Sequence, residues 1–305
     1  MISLGIDTSC YTTSLVVMDG RTIVYEGRKL LDVKKGTVGL RQADAFFQHV
    51  QNLPNLYESL VKVVDVKNLS RVVVSTRPRP VEHSYMPVFL AGENFARIIA
   101  ATLNIPLLPI SHQENHLYAV LYETEIDENF IGVHISGGTS EILKVSHDKG
   151  FDISIIGQTL DLSFGKLIDR IGVYMGLDFP CGKVLDTLKD ESSYYPLKMS
   201  IKSLDFNISG IENQLKAYYD KDKNMAKIAY TLFRYIGQLL IKILEKSLEQ
   251  TGYEKIVLSG GVSANTVIRK VLSNRFNDSI LFTSIEYATD HSVGNAYYGN
   301  VVKTY

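Results

Sequence analysis

Two histidines one helical turn apart are the most chemically suggestive pair in this sequence. His112 and His116 follow Ser111, and Glu114 stands three residues after that serine. A serine followed three residues later by glutamate is the capping-box pattern, so we predict that a helix begins here. Side chains at i and i+4 share a helix face, and two neutral imidazoles on one face form a bidentate metal clamp that lacks one or two ligands. The alternative is an ordinary pair of packed histidines.

Small polar turns follow two of the apolar strands. Residues 2–18 read as strand, turn and strand, which predicts a hairpin with Asp7 where the first strand ends. There the carboxylate can face a metal or a hydrated phosphate, or simply cap the turn. Residues 131–143 repeat the pattern around Ser136-Gly137-Gly138, and we expect these glycines to allow a positive φ and to keep side chains out of the turn.

A third glycine turn joins a predicted strand, 255–258, to a helix. Its sequence is Ser259-Gly260-Gly261-Val262-Ser263-Ala264-Asn265. Backbone N–H groups and the helix dipole make such a turn a ready anion or nucleotide site, although it matches neither a Walker loop nor GxGxxG. Asp169 and Asp186 lie on either side of a glycine-containing loop. They can hydrogen-bond a sugar diol, or they are exposed helix acids.

The composition excludes several classes of protein. The chain has 305 residues, 45% of them hydrophobic and 21% charged, with a net charge of −1 and two cysteines. These values are typical of a globular protein without a disulfide framework. Because the charge is nearly balanced, RNA contact requires a local basic patch or a partner subunit. We find no signal peptide and no membrane span, and we predict a soluble cytoplasmic protein with no membrane partner.

The remaining pattern predicts alternating helices and strands. Residues 21–41 form the most basic stretch, interpreted as a solvated loop or, alternatively, a phosphate contact. The other predicted elements are a helix at 42–65 interrupted at Pro54, a strand at 71–75, a helix at 86–103, a strand at 107–110, an irregular insertion at 191–224, a core helix at 225–251 and a last helix at 293–302.

Two hairpin-led α/β halves and a strand-glycine-helix turn resemble the superfamily of actin, sugar kinases and heat-shock ATPases. Within it the chain resembles the TsaD/Gcp family of tRNA N6-adenosine threonylcarbamoyltransferases. The matching stretches run in family order from 5–10 through His112 and His116, 136–138, 157–161, Asp169, 176–180, Gly182, Phe206, 209–210 and 259–265 to 289–290. The resemblance implies a two-lobed α/β fold with a mixed sheet flanked by helices in each lobe. We place the N-terminal lobe at 1–110 and the C-terminal lobe at 111–305, with a helical insertion around 160–224.

The resemblance also implies a site and a reaction. His112, His116 and Asp290 would hold one divalent iron or zinc ion, and threonylcarbamoyl-AMP would lie along the Ser136-Gly137-Gly138 turn. Asp7 and Ser136 would be catalytic. The ribose would lie near Asp169, Gly182 and Asp186, and the adenine end near Gly260, Gly261 and Asn265. The N6 amine of adenosine 37 in an ANN-decoding tRNA would attack the carbamoyl carbon. Partner subunits or a homodimer are expected. The family's former label, a protease, does not fit, because the flanking positions used by zincins hold Gln113 and Asn115.

Several positions depart from the family pattern. They are Tyr11 and Thr12 in place of two acids, Arg77-Pro78-Arg79-Pro80 in place of Gly-Pro-Gly-Leu, Thr139 in place of His, Leu162 in place of Asp, Lys166 in place of Glu and His291 in place of Asn. Three interpretations follow. The chain is a threonylcarbamoyltransferase, a nucleotide- and metal-binding partner or regulatory subunit without transfer activity, or a carbamoyl or phosphoryl transferase with a small acceptor.

Overall fold

The computed structural model describes residues 1–9, 11–33, 40–124, 126, 128–147, 151–199, 201 and 203–302. These residues form ten strands and ten α-helices. The strands are β1 (Ile2–Asp7), β2 (Thr12–Asp19), β3 (Thr22–Leu30), β4 (Arg71–Arg77), β5 (Leu107–Ser111), β6 (Phe130–Ile135), β7 (Ser140–His147), β8 (Phe151–Gln158), β9 (Lys255–Ser259) and β10 (Ile280–Phe282). The helices are α1 (Gln42–Leu60), α2 (Phe89–Leu103), α3 (His112–Thr124), α4 (Phe164–Tyr174), α5 (Gly182–Leu188), α6 (Ser209–Asp222), α7 (Met225–Thr251), α8 (Thr266–Phe276), α9 (Ile285–Ala288) and α10 (Val293–Val301).

The described chain divides into two compact units. The first contains residues 1–33, 40–126 and 289–302, and the second contains residues 128–288. This division differs from the predicted boundary at residue 110, since α3 and α10 both belong to the first unit. Gly294 explains the close pairing of these two helices, because a Cβ there would lie 1.7 Å from the carbonyl oxygen of Asn115.

The first unit is built on a five-stranded sheet in the order β3-β2-β1-β4-β5. The predicted hairpin is confirmed, with β1 antiparallel to β2, while β1, β4 and β5 run parallel. The carboxyl ends of these parallel strands therefore meet at one edge of the sheet, and they end at Asp7, Arg77 and Ser111. Apolar side chains of the sheet, such as Ile6 and Val74, form a core with residues of α1 and α2.

The second unit repeats this strand order as β8-β7-β6-β9-β10. Here β6 and β7 form the second predicted hairpin, and β9 and β10 run parallel to β6. The predicted core helix is confirmed as α7, which buries an apolar stripe that includes Leu232, Ile236 and Leu240. The inserted region around 160–224 contains α4, α5 and α6.

Some local predictions are wrong. Residues 22–30 form β3 rather than a solvated loop, because a sheet edge tolerates charged side chains, and Arg28 pairs there with Glu26. Lys34 and Lys35 of the same basic stretch, like Cys10, lie outside the described residues. Helix α1 continues through Pro54. Because proline has no N–H, the carbonyl of Val50 loses its hydrogen bond within the helix, and Val50 lies on the exposed face.

Neither Gly137 nor Gly138 has a positive φ, so the expected use of glycine's backbone freedom at this turn is wrong. Within the described part of the chain, no helix combines the length and the apolar character that a bilayer span requires.

Candidate functional site

The capping box at the start of α3 forms as predicted. The backbone N–H of Ser111 donates to Oε2 of Glu114 at 2.7 Å, and the N–H of Glu114 donates to Oγ of Ser111 at 3.2 Å. The pair ends β5 and begins the helix within one residue, so His112 lies directly at the carboxyl edge of the first sheet.

The three predicted metal ligands converge in the first unit. Nε2 of His112 lies 3.1 Å from Nε2 of His116, and Oδ1 of Asp290 lies 3.5 Å and 3.8 Å from these two nitrogens. Metal–nitrogen and metal–oxygen bonds of about 2.0–2.2 Å at tetrahedral angles separate neighbouring ligand atoms by roughly 3.0–3.5 Å. The arrangement therefore fits one divalent ion with only small side-chain adjustments. Two imidazole nitrogens and one carboxylate also match the donors that zinc and iron prefer.

Asp7 lies behind His112 and fixes its orientation. Oδ1 of Asp7 is 3.1 Å from Nδ1 of His112, while Oδ2 accepts hydrogen bonds from the backbone and hydroxyl of Ser9. The carboxylate is fully buried. With a proton held on Nδ1, Nε2 of His112 faces His116 and Asp290 and is the nitrogen that could bind a metal ion once its own proton leaves. Asp7, predicted as catalytic, is thus placed to act through His112 as a positioning residue.

Charges around the triad shift its protonation strongly. Burial lowers the pKa of His112, but Asp7 and Asp290 outweigh that effect and raise it to about 10. For Asp290, burial raises the pKa, and the two histidines more than reverse this, so the carboxylate stays ionised. Burial and the neighbouring His112 lower the pKa of His116. The site therefore stores one proton that a metal ion would displace.

Two asparagines that sequence reasoning missed hold α10 against α3 and β1. Oδ1 of Asn115 accepts from the backbone N–H of Asn295 at 2.8 Å, and Nδ2 of Asn295 donates to the carbonyl of Ile6 at 2.6 Å. Both side chains are fully buried. The bonds tie the segment that carries Asp290 to the helix that carries His116. The position of Asn115 between two candidate ligands was the available sequence signal.

His291 is a departure from the family pattern that lies beside the triad. Its ring centroid is 5.1 Å from that of His116 at an angle of 82°, and its Nδ1 accepts the backbone N–H of Val293 at 3.1 Å. Burial, followed by the nearby His116, holds the pKa of His291 well below its usual value. The ring is therefore neutral.

The predicted adenylate residues all belong to the second unit. The Ser136–Thr139 turn is closed by Oγ of Ser136, which accepts the N–H groups of Gly138 and Thr139 at 3.3 Å and 3.1 Å. These bonds make Ser136 a residue that holds the turn. A Cβ on Gly137 or Gly138 would meet nothing within 4 Å, so their backbone is open to a ligand.

The third glycine turn lies beside that one at the carboxyl edge of the second sheet. Gly260 has a φ of 88°, and a Cβ there would lie 2.4 Å from the carbonyl oxygen of Ile135, so only glycine fits. Asn265 caps α8, its Oδ1 accepting from the N–H groups of Val267 and Ile268 at 3.1 Å and 3.0 Å. Gly261 faces open space.

Two predicted acids make structural contacts around this edge. Asp186 accepts from the hydroxyl and backbone N–H of Thr266 at 2.8 Å and 3.2 Å, which links α5 to the start of α8. Asp169 accepts from the N–H of Cys181 at 2.8 Å, next to Gly182 at the start of α5. Burial raises the pKa of Asp169. These contacts connect α4, α5 and α8 into one group of elements.

The arginine-rich departure lies against α3, the helix that carries His112 and His116. The carbonyl of Pro78 accepts the N–H of Gln113 at 3.1 Å, and Nη2 of Arg77 is 3.9 Å from Oε2 of Glu114. In the second unit, Thr139 bonds Ser136 through its hydroxyl at 3.0 Å, and Leu162 is buried. Arg77, Pro78, Thr139 and Leu162 thus make ordinary structural contacts.

Comparison with known proteins shows which proteins the chain is similar to. A relative from Mycoplasma mobile, a tRNA N6-adenosine threonylcarbamoyltransferase, is 30% identical over 305 residues and 95% of each chain. A relative of the same description from Legionella pneumophila is 30% identical, over 98% of this chain and 93% of its own.

Solved structures show the fold alone. The crystal structure of T. kodakarensis HypF superposes with a TM-score of 0.63 at 13% identity, over 98% of this chain and 47% of that one. Component A of the (R)-2-hydroxyglutaryl-CoA dehydratase of Acidaminococcus fermentans gives 0.59 at 14% identity, over 98% and 97%. These likenesses confirm the predicted α/β fold of the actin, sugar-kinase and heat-shock-ATPase type. The family model described as TsaD, tRNA N6-adenosine threonylcarbamoyltransferase, matches residues 33–297, and the chain belongs to that family.

Proposed function

We propose that this chain transfers the threonylcarbamoyl group of threonylcarbamoyl-AMP to N6 of adenosine 37 in tRNA. Family membership supports the proposal, and the geometric observation that carries it is the convergence of His112, His116 and Asp290 on one point. In the reaction a bond forms between N6 and the carbamoyl carbon. The bond from that carbon to the phosphate oxygen breaks, AMP leaves, and the amine loses one proton.

A divalent iron or zinc ion would be held by Nε2 of His112, Nε2 of His116 and Oδ1 of Asp290. Such an ion, when bound, supplies a Lewis acid for a carbonyl or phosphate oxygen. Asp7 keeps the proton of His112 on Nδ1, so that its Nε2 stays directed at the site. The bonds from Asn115 and Asn295 hold the Asp290 segment in place.

The second unit would bind the adenylate at the carboxyl edge of its sheet. Gly137 and Gly138 leave backbone exposed for the phosphate or acyl oxygens, and Ser136 holds that turn closed. Asn265 caps α8 through Oδ1 only. Among the described residues its Nδ2 has no acceptor, so the amide is left to donate to the adenine end.

The remaining predicted contacts to the adenylate would lie along the same edge of the second sheet. Asp186, held by Thr266, and Asp169, beside Gly182, present carboxylates to the ribose. Gly260 and Gly261 let the chain turn closely past the base.

The deciding experiment measures transfer directly. The purified chain is loaded with iron or zinc and incubated with threonylcarbamoyl-AMP and an unmodified ANN-decoding tRNA, and the modified nucleoside is quantified by mass spectrometry. The genes for the wild-type chain and its variants are also tested for complementation of a strain that lacks the modification enzyme. That strain supplies any partner subunits. We expect His112→Ala, His116→Ala and Asp290→Ala each to abolish bound metal and reduce transfer at least 100-fold.

The matched control is His83→Ala, because His83 is exposed on a loop outside the triad. It should retain metal and activity. Wild-type protein that binds metal and adenylate yet neither forms the modified nucleoside nor complements would contradict the proposal and favour a non-catalytic partner subunit.

A further inference from the structure

An aromatic cleft in the second unit is not used by the reaction described above. It encloses about 300 Å³ between the irregular segment 194–199 and one face of α7. Tyr194, Tyr195, Pro196, Leu197 and Met199 line the first wall. The second wall is formed by residues spaced one helical turn apart, namely Thr231, Arg234, Tyr235, Gln238 and Lys242.

The cleft has a firm base. The N–H of Tyr195 donates to Oγ1 of Thr231 at 3.0 Å, which fastens the segment to α7. The ring of Tyr195 stacks on Tyr218 at 4.3 Å and 7°, and Nζ of Lys227 lies 4.0 Å from the centroid of the Tyr195 ring. The ring of Tyr195 therefore already packs against other side chains of the protein.

The mouth of the cleft is different. Tyr194 is 49% exposed, and the guanidinium carbon of Arg234 lies 4.4 Å from the centroid of its ring. A guanidinium plane and an exposed aromatic ring together form the kind of platform on which nucleobases stack. Tyr230 supports Tyr194 from the side, with ring centroids 6.4 Å apart at 72°.

The charge of the cleft selects an anion. Its lining contains Arg234 and Lys242 and no carboxylate. Across the residues that the structure describes, neither cation has an ion pair or a hydrogen-bond acceptor. A second cleft in the same unit is lined by Asp161 and Glu212, with Arg170 already paired to Glu212, and that lining would repel a phosphate.

We propose that the 194–199/α7 cleft binds one unstacked nucleotide of an RNA, with the base on Tyr194 and Arg234 and a backbone phosphate on Lys242. The inference rests on the proposed function in that the RNA is the tRNA substrate. It also explains how a chain with a net charge of −1 gains a local RNA contact.

The test uses the full-length protein and a fluorescein-labelled, unmodified ANN-decoding tRNA transcript. Anisotropy titrations between 50 and 200 mM salt compare wild type with Tyr194→Leu, Arg234→Gln, Lys242→Gln and the Tyr194→Leu/Arg234→Gln double variant. We expect the double variant to bind about tenfold more weakly, because a stacked base is lost. Lys242→Gln should lower the slope of log K against log salt by about 0.7, the effect of one phosphate contact on a single strand.

The matched control is Tyr174→Leu. Tyr174 is 43% exposed and has a cation, Lys216, 5.0 Å from its ring centroid, but it lies outside the cleft. It should bind tRNA within twofold of wild type. An equal loss in this control, or an unchanged affinity and salt slope in all cleft variants, overturns the inference. Failure of wild type to bind the transcript overturns it as well.

Two further measurements separate the sources of an effect. A single-stranded RNA octamer should displace the transcript at far lower concentration than UMP, and equal potency of UMP would indicate a site for free nucleotides instead.

In the transfer assay the cleft variants should raise KM for tRNA and leave kcat unchanged. Wild type that binds tRNA through the cleft but transfers nothing would contradict the proposed function and support the inference. If Tyr194→Leu melts early, Arg234→Gln and Lys242→Gln decide, because neither cation has an ion pair among the described residues to lose, although Arg234 does contact the ring of Tyr194.

Discussion

Oδ1 of Asp7 lies 3.1 Å from Nδ1 of His112, although 105 positions separate the two residues in the chain. The contact forms because β1 and β5 both run parallel to β4 and end at the same sheet edge. Asp7 is the last residue of β1, and His112 directly follows the last residue of β5. The fold thereby fixes the orientation of His112, with Nδ1 toward Asp7 and Nε2 toward His116 and Asp290.

Replacing Asp7 by asparagine tests this relationship. Asp7→Asn keeps the size of the buried side chain but removes the charge that orients His112, so we expect metal affinity to fall about 10- to 100-fold. The measurement is chelator competition followed by metal analysis. Asp19→Asn, at the exposed end of β2, is the control and should leave affinity unchanged. Equal affinity in Asp7→Asn and wild type would show that His112 needs no positioning.

Metal binding should release a proton. Without metal, burial alone would lower the pKa of His112. The carboxylates of Asp7 and Asp290 have the larger, opposite effect and raise that pKa to about 10. The imidazole is then protonated at pH 7–8, and a metal ion must displace about one proton to use Nε2. Calorimetry in buffers of different ionisation enthalpy measures that number. Apparent affinity should rise as pH increases from 6 to 8.5, and a pH-independent affinity with no proton release would contradict the assignment.

The same shift has a consequence for stability. A raised folded-state pKa stabilises the metal-free protein fully below the unfolded value near 6.5, and that contribution is lost as pH rises through about 10. Denaturant titration of metal-free protein should therefore show a falling free energy of unfolding between pH 7 and pH 10. His112→Gln should flatten this slope.

Local sequence signals predicted the elements that carry the site. The Ser111/Glu114 capping box and the long apolar stripe of α7 depend on residues near each other in the chain, so both could be recognised and both were confirmed. The pairing of Asp7 with His112 depends on strand register, which periodicity alone does not determine. The strand β3 was missed for a related reason, since its charges are acceptable only at a sheet edge.

The division of the chain was also beyond local reasoning. Gly294 allows α10 to lie against α3, so residues 289–302 return to the first unit with Asp290. Only the family resemblance predicts Asp290 as a ligand. Nothing in the spacing of 174 residues between His116 and Asp290 would have indicated that the two side chains meet.

That helix contact gives a stability prediction. A Cβ on Gly294 would lie 1.7 Å from the carbonyl oxygen of Asn115, so Gly294→Ala must push α10 away from α3. We expect a loss of about 1–3 kcal/mol in the free energy of unfolding, together with weaker metal binding. Gly210→Ala is the control, because a Cβ there meets nothing within 4 Å. Equal melting temperatures for the two variants would contradict the close packing.

Asn265 separates a structural role from a binding role. Its Oδ1 accepts from Val267 and Ile268 at the start of α8, and replacement by alanine should cost about 1 kcal/mol of stability through loss of the helix cap. Asn265→Asp keeps an acceptor at that position but converts the amide donor to a carboxylate oxygen. It should therefore melt like wild type while binding a non-hydrolysable adenylate at least tenfold more weakly, as measured by calorimetry. If Asn265→Asp binds the adenylate as tightly as wild type, the side chain serves only to cap α8, and the adenine end must be recognised by other groups along the Gly260-Gly261 turn.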